Sequence, residues 1–169
     1  MKGKTGVGDF GKSAMTWTSE EDSAVKKSIK EFGFNLVTSD KIALDRIPGD
    51  LRDSKCKHVD YPTKLPKGIF HFYFKYLFLN LEHSNEKIKV SVIIVFHNEG
   101  WSPLLRTVHT VVKQSPPELL GEIVMVDDKS EKEHLRAQLD NHLKEHFGNL
   151  VKVVRNQRRE GLIRNGLDL

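Results

Sequence analysis

Three short β-branched runs in the last third of the chain restrict its fold more than any other feature. They are "KVSVIIVF" (Lys89 to Phe96), "EIVMVDD" (Glu122 to Asp128) and "VKVVRN" (Val151 to Asn156). Longer segments with helical spacing separate them. "WSPLLRTVHTVVKQS" sets Leu104, Leu105, Val108, Val111 and Val112 in register, and "EKEHLRAQLDNHLKEHF" carries a stripe of Leu135, Leu139, Leu143 and Phe147. After the third run, "REGLIRNG" predicts the opening of a third helix. Strand and helix alternating in this way predict parallel strands joined by right-handed crossovers, a doubly wound α/β half-domain. The β-branched character of the first run suits a strand buried on both faces.

Upstream the signals are weaker. Residues 1–18, rich in Gly, Lys and Ser, read as a flexible lead-in. "TSEEDSAVKKSIKEFGFN" predicts a helix capped by Ser19 with Asp22 three residues on. Its face would carry Ala24, Val25, Ser28, Ile29 and Phe32, and Gly33 would end it. Pro48, Pro62 and Pro66 interrupt the next segment, so Asn35 to Lys67 reads as an extended connection within a 19–67 lead-in. Residues 68–88 stand apart as an aromatic insertion: "GIFHFYFKYLFLNL" gathers Phe70, Phe72, Tyr73, Phe74, Tyr76 and Phe78. At roughly 14 residues, interrupted by His71 and Lys75, it is too short and too polar to span a bilayer.

The 169 residues suit one domain with a sizeable core. Their 27 basic and 23 acidic side chains leave a net charge of +4, which favours an anionic ligand. The basic residues are dispersed and form no stripe of the kind that binds nucleic acid. No apolar stretch reaches the ~18–20 residues of a transmembrane helix, and the first residues lack the apolar core of a signal peptide. The chain therefore reads as carrying neither membrane anchor nor signal. Cys56 is the only cysteine, either a free thiol or half of a bridge whose other half lies elsewhere.

Ligands of open parallel sheets bind at the carboxyl ends of the strands. Those ends carry His97, Asn98 and Glu99, then Asp127 and Asp128, then Arg155 through Arg159. Each cluster alone is as often a polar loop or a cap as a site, but all three fall on one edge. No GxGxxG or Walker sequence is present, so a carboxylate gripping a ribose or base, with an arginine on a diphosphate, fits better. Asp140-Asn141-His142 has the letters of a metal-binding Asp-x-His. Two residues apart on a helix, however, the side chains point ~200° apart and cannot share an ion. His142 and His146, spaced i, i+4, lack a third ligand in view and read as a solvated helix face.

The ordered motifs "SVIIVFHNEGWSPLLRTVHTVVKQSPPELLGEIVMVDDKS" and "VRNQRREGLIR" strongly resemble the polypeptide N-acetylgalactosaminyltransferases. So do the upstream "FNLVTSDKIALDRIPGDLRDSKC" and "YPTKLP". The resemblance implies a Rossmann-like, glycosyltransferase A-type fold, here a half-domain over 89–169 behind an irregular N-terminal segment. It implies UDP-GalNAc as donor, Mn2+, Ser/Thr-containing acceptor proteins and residence in the Golgi. By position Asp128 matches the family's nucleotide-binding aspartate, Arg159 the arginine of its Arg-Glu-Gly-Leu motif, and His97 falls beside the uridine. The family's Asp-x-His metal ligands and acceptor half do not appear in this sequence. The expectation is therefore a truncated chain with no metal site and no catalytic residue of its own, inactive as a transferase. A non-catalytic UDP-binding or interaction module is the alternative. The resemblance also pairs Cys56 with a cysteine of the absent half, and it leaves the first strand's edge without its usual later neighbour.

Overall fold

The computed structural model describes residues 6–13, 17–47, 53–56 and 89–161. The aromatic stretch 68–88 and the greater part of the third helix expected from Arg159 lie outside the described residues, and Arg159 to Gly161 are not helical. Three parallel strands, β1 (Val90–Phe96), β2 (Leu120–Asp127) and β3 (Val151–Arg155), form a sheet in the order β1-β2-β3. The register brings Phe96, Asp127 and Arg155 to one level, so all three strands end together.

Two helices make the crossovers. α3 (Trp101–Gln114) joins β1 to β2, and α4 (Ala137–Phe147) joins β2 to β3. α1 (Asp22–Phe32) and the short α2 (Leu36–Asp40) precede the sheet. Leu104, Leu105, Val108 and Val111 of α3 and Leu139 and Leu143 of α4 pack with Val92, Phe96, Ile123, Met125 and Val151 in one core. Leu135, fully buried in that core, sits in a 3-10 turn (Glu133–Leu135), because Arg136 leaves helical geometry and delays the start of α4 to Ala137.

The expectation of a first strand buried on both faces is not met. Ile93 is 42% exposed and so is Val154, both pointing away from the core. The strand order gives the reason. When the chain steps in one direction across a sheet with crossovers of one hand, successive helices fall on the same face. Covering the second face needs a reversal of order, which the described strands do not make. Near the amino end of the open face, Glu122 accepts from Ser91 Oγ at 3.0 Å and from Lys152 Nζ at 2.7 Å. Lys152 first, and Ser91 after it, hold the Glu122 carboxyl below its ordinary range.

The lead-in also differs from expectation in two places. The capping box is made by Thr18 with Glu21, one residue earlier than Ser19 with Asp22. Glu21 is three residues from Thr18 and long enough to reach back to its N–H, at 2.8 Å. Gly33 does end α1, at a φ of 78° that a left-handed glycine supplies freely. Of the predicted apolar face, Val25 and Ser28 are buried and Ile29 is exposed. The second difference is α2, which interrupts the segment read as extended. Asn35 caps it by accepting from Thr38 N at 3.0 Å. α2 is tied to α3: Ser39 and Ser102 hydroxyls meet at 2.9 Å, and Arg106 Nη1 donates to Ser39 O at 2.9 Å.

Candidate nucleotide site

The level strand ends put three loops side by side, and Asp127 ties them. It is 1% exposed at the end of the middle strand. Its Oδ1 accepts from Ser130 N at 2.7 Å, and Oδ2 faces Arg155 Nε at 3.6 Å. Its carbonyl accepts from Lys129 N and Asn156 N, both at 2.9 Å. Asp127 is therefore a structural residue, the anchor of the loops after β2 and β3.

Asp128, 3% exposed, reaches across to the third loop. Its carboxylate accepts from Asn156 Nδ2 at 3.2 Å, Glu160 N at 2.7 Å and Gly161 N at 3.0 Å. Two successive backbone N–H groups converging on one carboxylate fix the turn that carries Arg159. Gly161, with a φ of 82°, supplies the left-handed step this closure needs. The side chain matched by resemblance to a nucleotide-binding aspartate also holds the arginine turn in place.

His97 follows β1. A carbonyl only accepts, so its Nδ1 donates to Asp128 O, at 2.8 Å. Its Nε2 then takes the Asn98 Nδ2–H at 3.2 Å. Asn98 Oδ1 accepts from Glu131 N at 2.8 Å, which fixes that amide's orientation. With both nitrogens engaged, the half-buried ring has its face left to offer a ligand. Asn98 stands at a φ of 51°, in the left-handed region that asparagine tolerates, and its N–H donates to Ser130 Oγ at 2.9 Å.

The arginines after β3 separate in role. Arg155 donates to Asp140 Oδ1 at 2.8 Å and Leu135 O at 3.2 Å and stays within the scaffold. Asp140 therefore pairs with Arg155 while His142 turns towards Trp101 and His109. His142 does not lie on a solvated face: it is half-buried in a ring cluster. Arg158 pairs with Glu160, which raises its pKa. Arg159 is exposed and makes no ion pair among the described residues. The structure thus brings His97, Asp128 and Arg159 onto one rim.

Sequence reasoning missed Ser130, the 0% exposed residue that closes the loop after β2, and Lys129, which donates to Gln157 O at 2.9 Å. The "DDKS" sequence held a signal for Ser130, since Asp accepting from the N–H three residues on is a common turn. Among the described residues, no three His, Cys, Asp or Glu side chains come together to hold a metal ion. The Asp128 oxygens are already taken by the third loop, so these residues do not by themselves fit Mn2+. No helix among the described residues is long and apolar enough to cross a membrane.

A parallel sheet with its polar residues collected at the carboxyl ends is the architecture of a ligand-binding open α/β domain, and residues 91–166 match glycosyl transferase family 2. The chain is 44% identical over 156 residues to a probable N-acetylgalactosaminyltransferase 7 of Caenorhabditis elegans, covering 92% of this chain and 22% of the relative. It is 49% identical over 144 residues to N-acetylgalactosaminyltransferase 7 of Homo sapiens, covering 85% and 18%. A crystal structure of GalNAc-T7 with UDP, GalNAc and Mn2+ superimposes with a TM-score of 0.72 at 42% identity, over 99% of this chain and 26% of that one. The chain belongs to the N-acetylgalactosaminyltransferase family. It spans about a fifth of the length of the curated relatives it matches.

Proposed function

We propose that these residues form the donor-nucleotide part of a retaining Golgi glycosyltransferase that moves GalNAc from UDP-GalNAc to Ser or Thr hydroxyls of proteins. The observation that carries this reading is the Arg159 turn. An exposed arginine without an ion pair among the described residues stands on a backbone loop locked by a buried carboxylate, on the same rim as His97. A guanidinium so held suits a diphosphate, which it can meet with two parallel N–H donors. The His97 ring face suits the uracil, by stacking. Asp128 acts mainly by positioning. The division into 1–18, 19–67, 68–88 and 89–169 belongs to this reading, with nucleotide binding assigned to the last segment. Nucleic acid is not among the expected partners.

The test is titration of UDP into the purified chain, with and without Mn2+, followed by thermal stability. A saturable rise in melting temperature that Arg159→Ala removes and His97→Ala weakens is the expected result. An equal rise in Arg159→Ala would overturn the assignment. Transfer of GalNAc to a Ser/Thr peptide would distinguish an enzyme from a module that only binds UDP.

A further inference from the structure

Where α3 lies against α4, three imidazoles meet. His109 comes from α3, and His142 and His146 stand one turn apart on α4. The rings of His142 and His146 stack with centres 4.0 Å apart and 19° between planes. His109 stands edge-on to them at 6.2 and 6.3 Å. Phe147 covers His109 at 4.8 Å, and Trp101 covers His142 at 5.4 Å. Nε2 of His109 and Nε2 of His142 are both buried and have no hydrogen-bond partner among the described residues. His146 is anchored differently, its Nδ1 donating to His142 O at 2.9 Å.

Such an arrangement tolerates neutral rings and resists charged ones. A proton on either buried Nε2 would find no acceptor and would sit beside another imidazole. Burial first, then the neighbouring histidines, hold both His109 and His142 below the usual histidine range. The charged groups facing them do not reverse this. Asp45, on the segment after α2, favours charge on His109, and Lys113 of α3 opposes it. Glu145 of α4 favours charge on His142. His134, ahead of α4, faces the same Trp101 at 6.3 Å.

The cluster also touches the rim. Trp101 opens α3 immediately after the 97–100 loop, and His134 Nε2 donates to Glu99 O at 2.9 Å. Moving α4 away from α3 would strip Trp101 of His142 and draw His134 from Glu99. We propose that His109 and His142, with the His146 ring stacked on the second, form a proton-operated latch, which clasps α4 to α3 while those two rings are neutral and on acidification loosens the loop that carries His97. The effect on a ligand rests on the nucleotide reading above; the latch itself does not.

Linkage sets the sign. At these two positions the unfolded chain takes up protons near the ordinary histidine value of 6.5, before folded His109 and His142 do. The latch's stabilisation is therefore complete above that pH and is lost as pH falls below it.

The experiment compares the full chain with the His109→Phe/His142→Phe variant at pH 7.5 and 5.5. Phenylalanine keeps the ring contacts, and neither Nε2 has a bond to lose. The wild type should drop in melting temperature by about 5 °C more than the variant on acidification. NMR titration should show the His109 and His142 C2–H resonances moving at lower pH than free histidine. Equal drops in melting temperature, or titration at the free value, would overturn the latch. A chain unfolded at both pH values would titrate as free histidine and overturn it as well. Should the double variant not fold, His109→Phe alone serves the comparison. UDP affinity should weaken by about threefold or more in the wild type over the same interval and less in the variant. Absence of UDP binding at both pH values would sink the nucleotide reading, and the melting and resonance data would still decide the latch.

Discussion

Replacing Asp128 with alanine tests whether this side chain acts by organising the third loop. The carboxylate is 3% exposed and accepts three hydrogen bonds from described residues, two of them from the successive backbone N–H groups of Glu160 and Gly161. Hydrogen bonds to a charged group contribute ~1.5–3 kcal/mol each when buried. The turn beyond is open to water, with Arg158 and Arg159 exposed, so the freed donors can be rehydrated. Taking about 1 kcal/mol for each of the three gives a loss of about 3 kcal/mol, confined to the loop. That corresponds to about a 100-fold rise in the opening equilibrium at Glu160 and Gly161. Amide hydrogen exchange by NMR reads this directly. Wild-type protection at those two amides should fall by about that factor in Asp128→Ala, while Ile123 and Met125 in the middle strand keep theirs. If the two amides exchange as fast in the wild type as in the variant, the carboxylate does not hold the turn and the argument fails.

The same geometry sets three further outcomes. Leu139→Ala, at a fully buried position in α4, should cost about 3 kcal/mol, read as a lower urea midpoint with an unchanged slope. Arg106→Ala should cost about 2 kcal/mol by removing the guanidinium's hydrogen bonds to the Ser39 carbonyl and hydroxyl, and trypsin should then cut after Lys41 markedly faster. Glu122, whose carboxyl Lys152 and Ser91 hold below its ordinary 4.5, contributes stability that is present above that pH and lost as pH falls through its folded value. The gap in melting temperature between wild type and Glu122→Gln should accordingly narrow from pH 6 to pH 3.

The sheet was legible in the sequence because its signals are local. β-branched runs of six to eight residues, alternating with leucine and valine stripes, left little choice of element or order. The rim was legible for the same reason, since strand ends are fixed once strands are. The functional division among its residues was not. Asp127 and Asp128 are adjacent, yet one faces Ser130 and Arg155 while the other faces Glu160 and Gly161, a difference set by strand pleat and register. Arg155 and Arg159 look alike in the sequence, and it is the approach of Asp140 on α4 that commits the first to the scaffold. The histidine cluster was hidden because His109 lies 33 positions before His142, a proximity that only the helix pairing creates. Coverage of the sheet was overestimated, because apolar runs report strand propensity without saying how many faces have a neighbour.

Asp127 carries one last consequence. Its carbonyl and carboxylate reach the second and third loops, and Ser130, which it fixes, receives the N–H of Asn98 from the first. Three loops from distant parts of the chain thus share a single hub at the end of the central strand, and they should librate together, not independently. A molecule arriving at the rim meets a surface already assembled. Little ordering entropy is then left to be lost on contact.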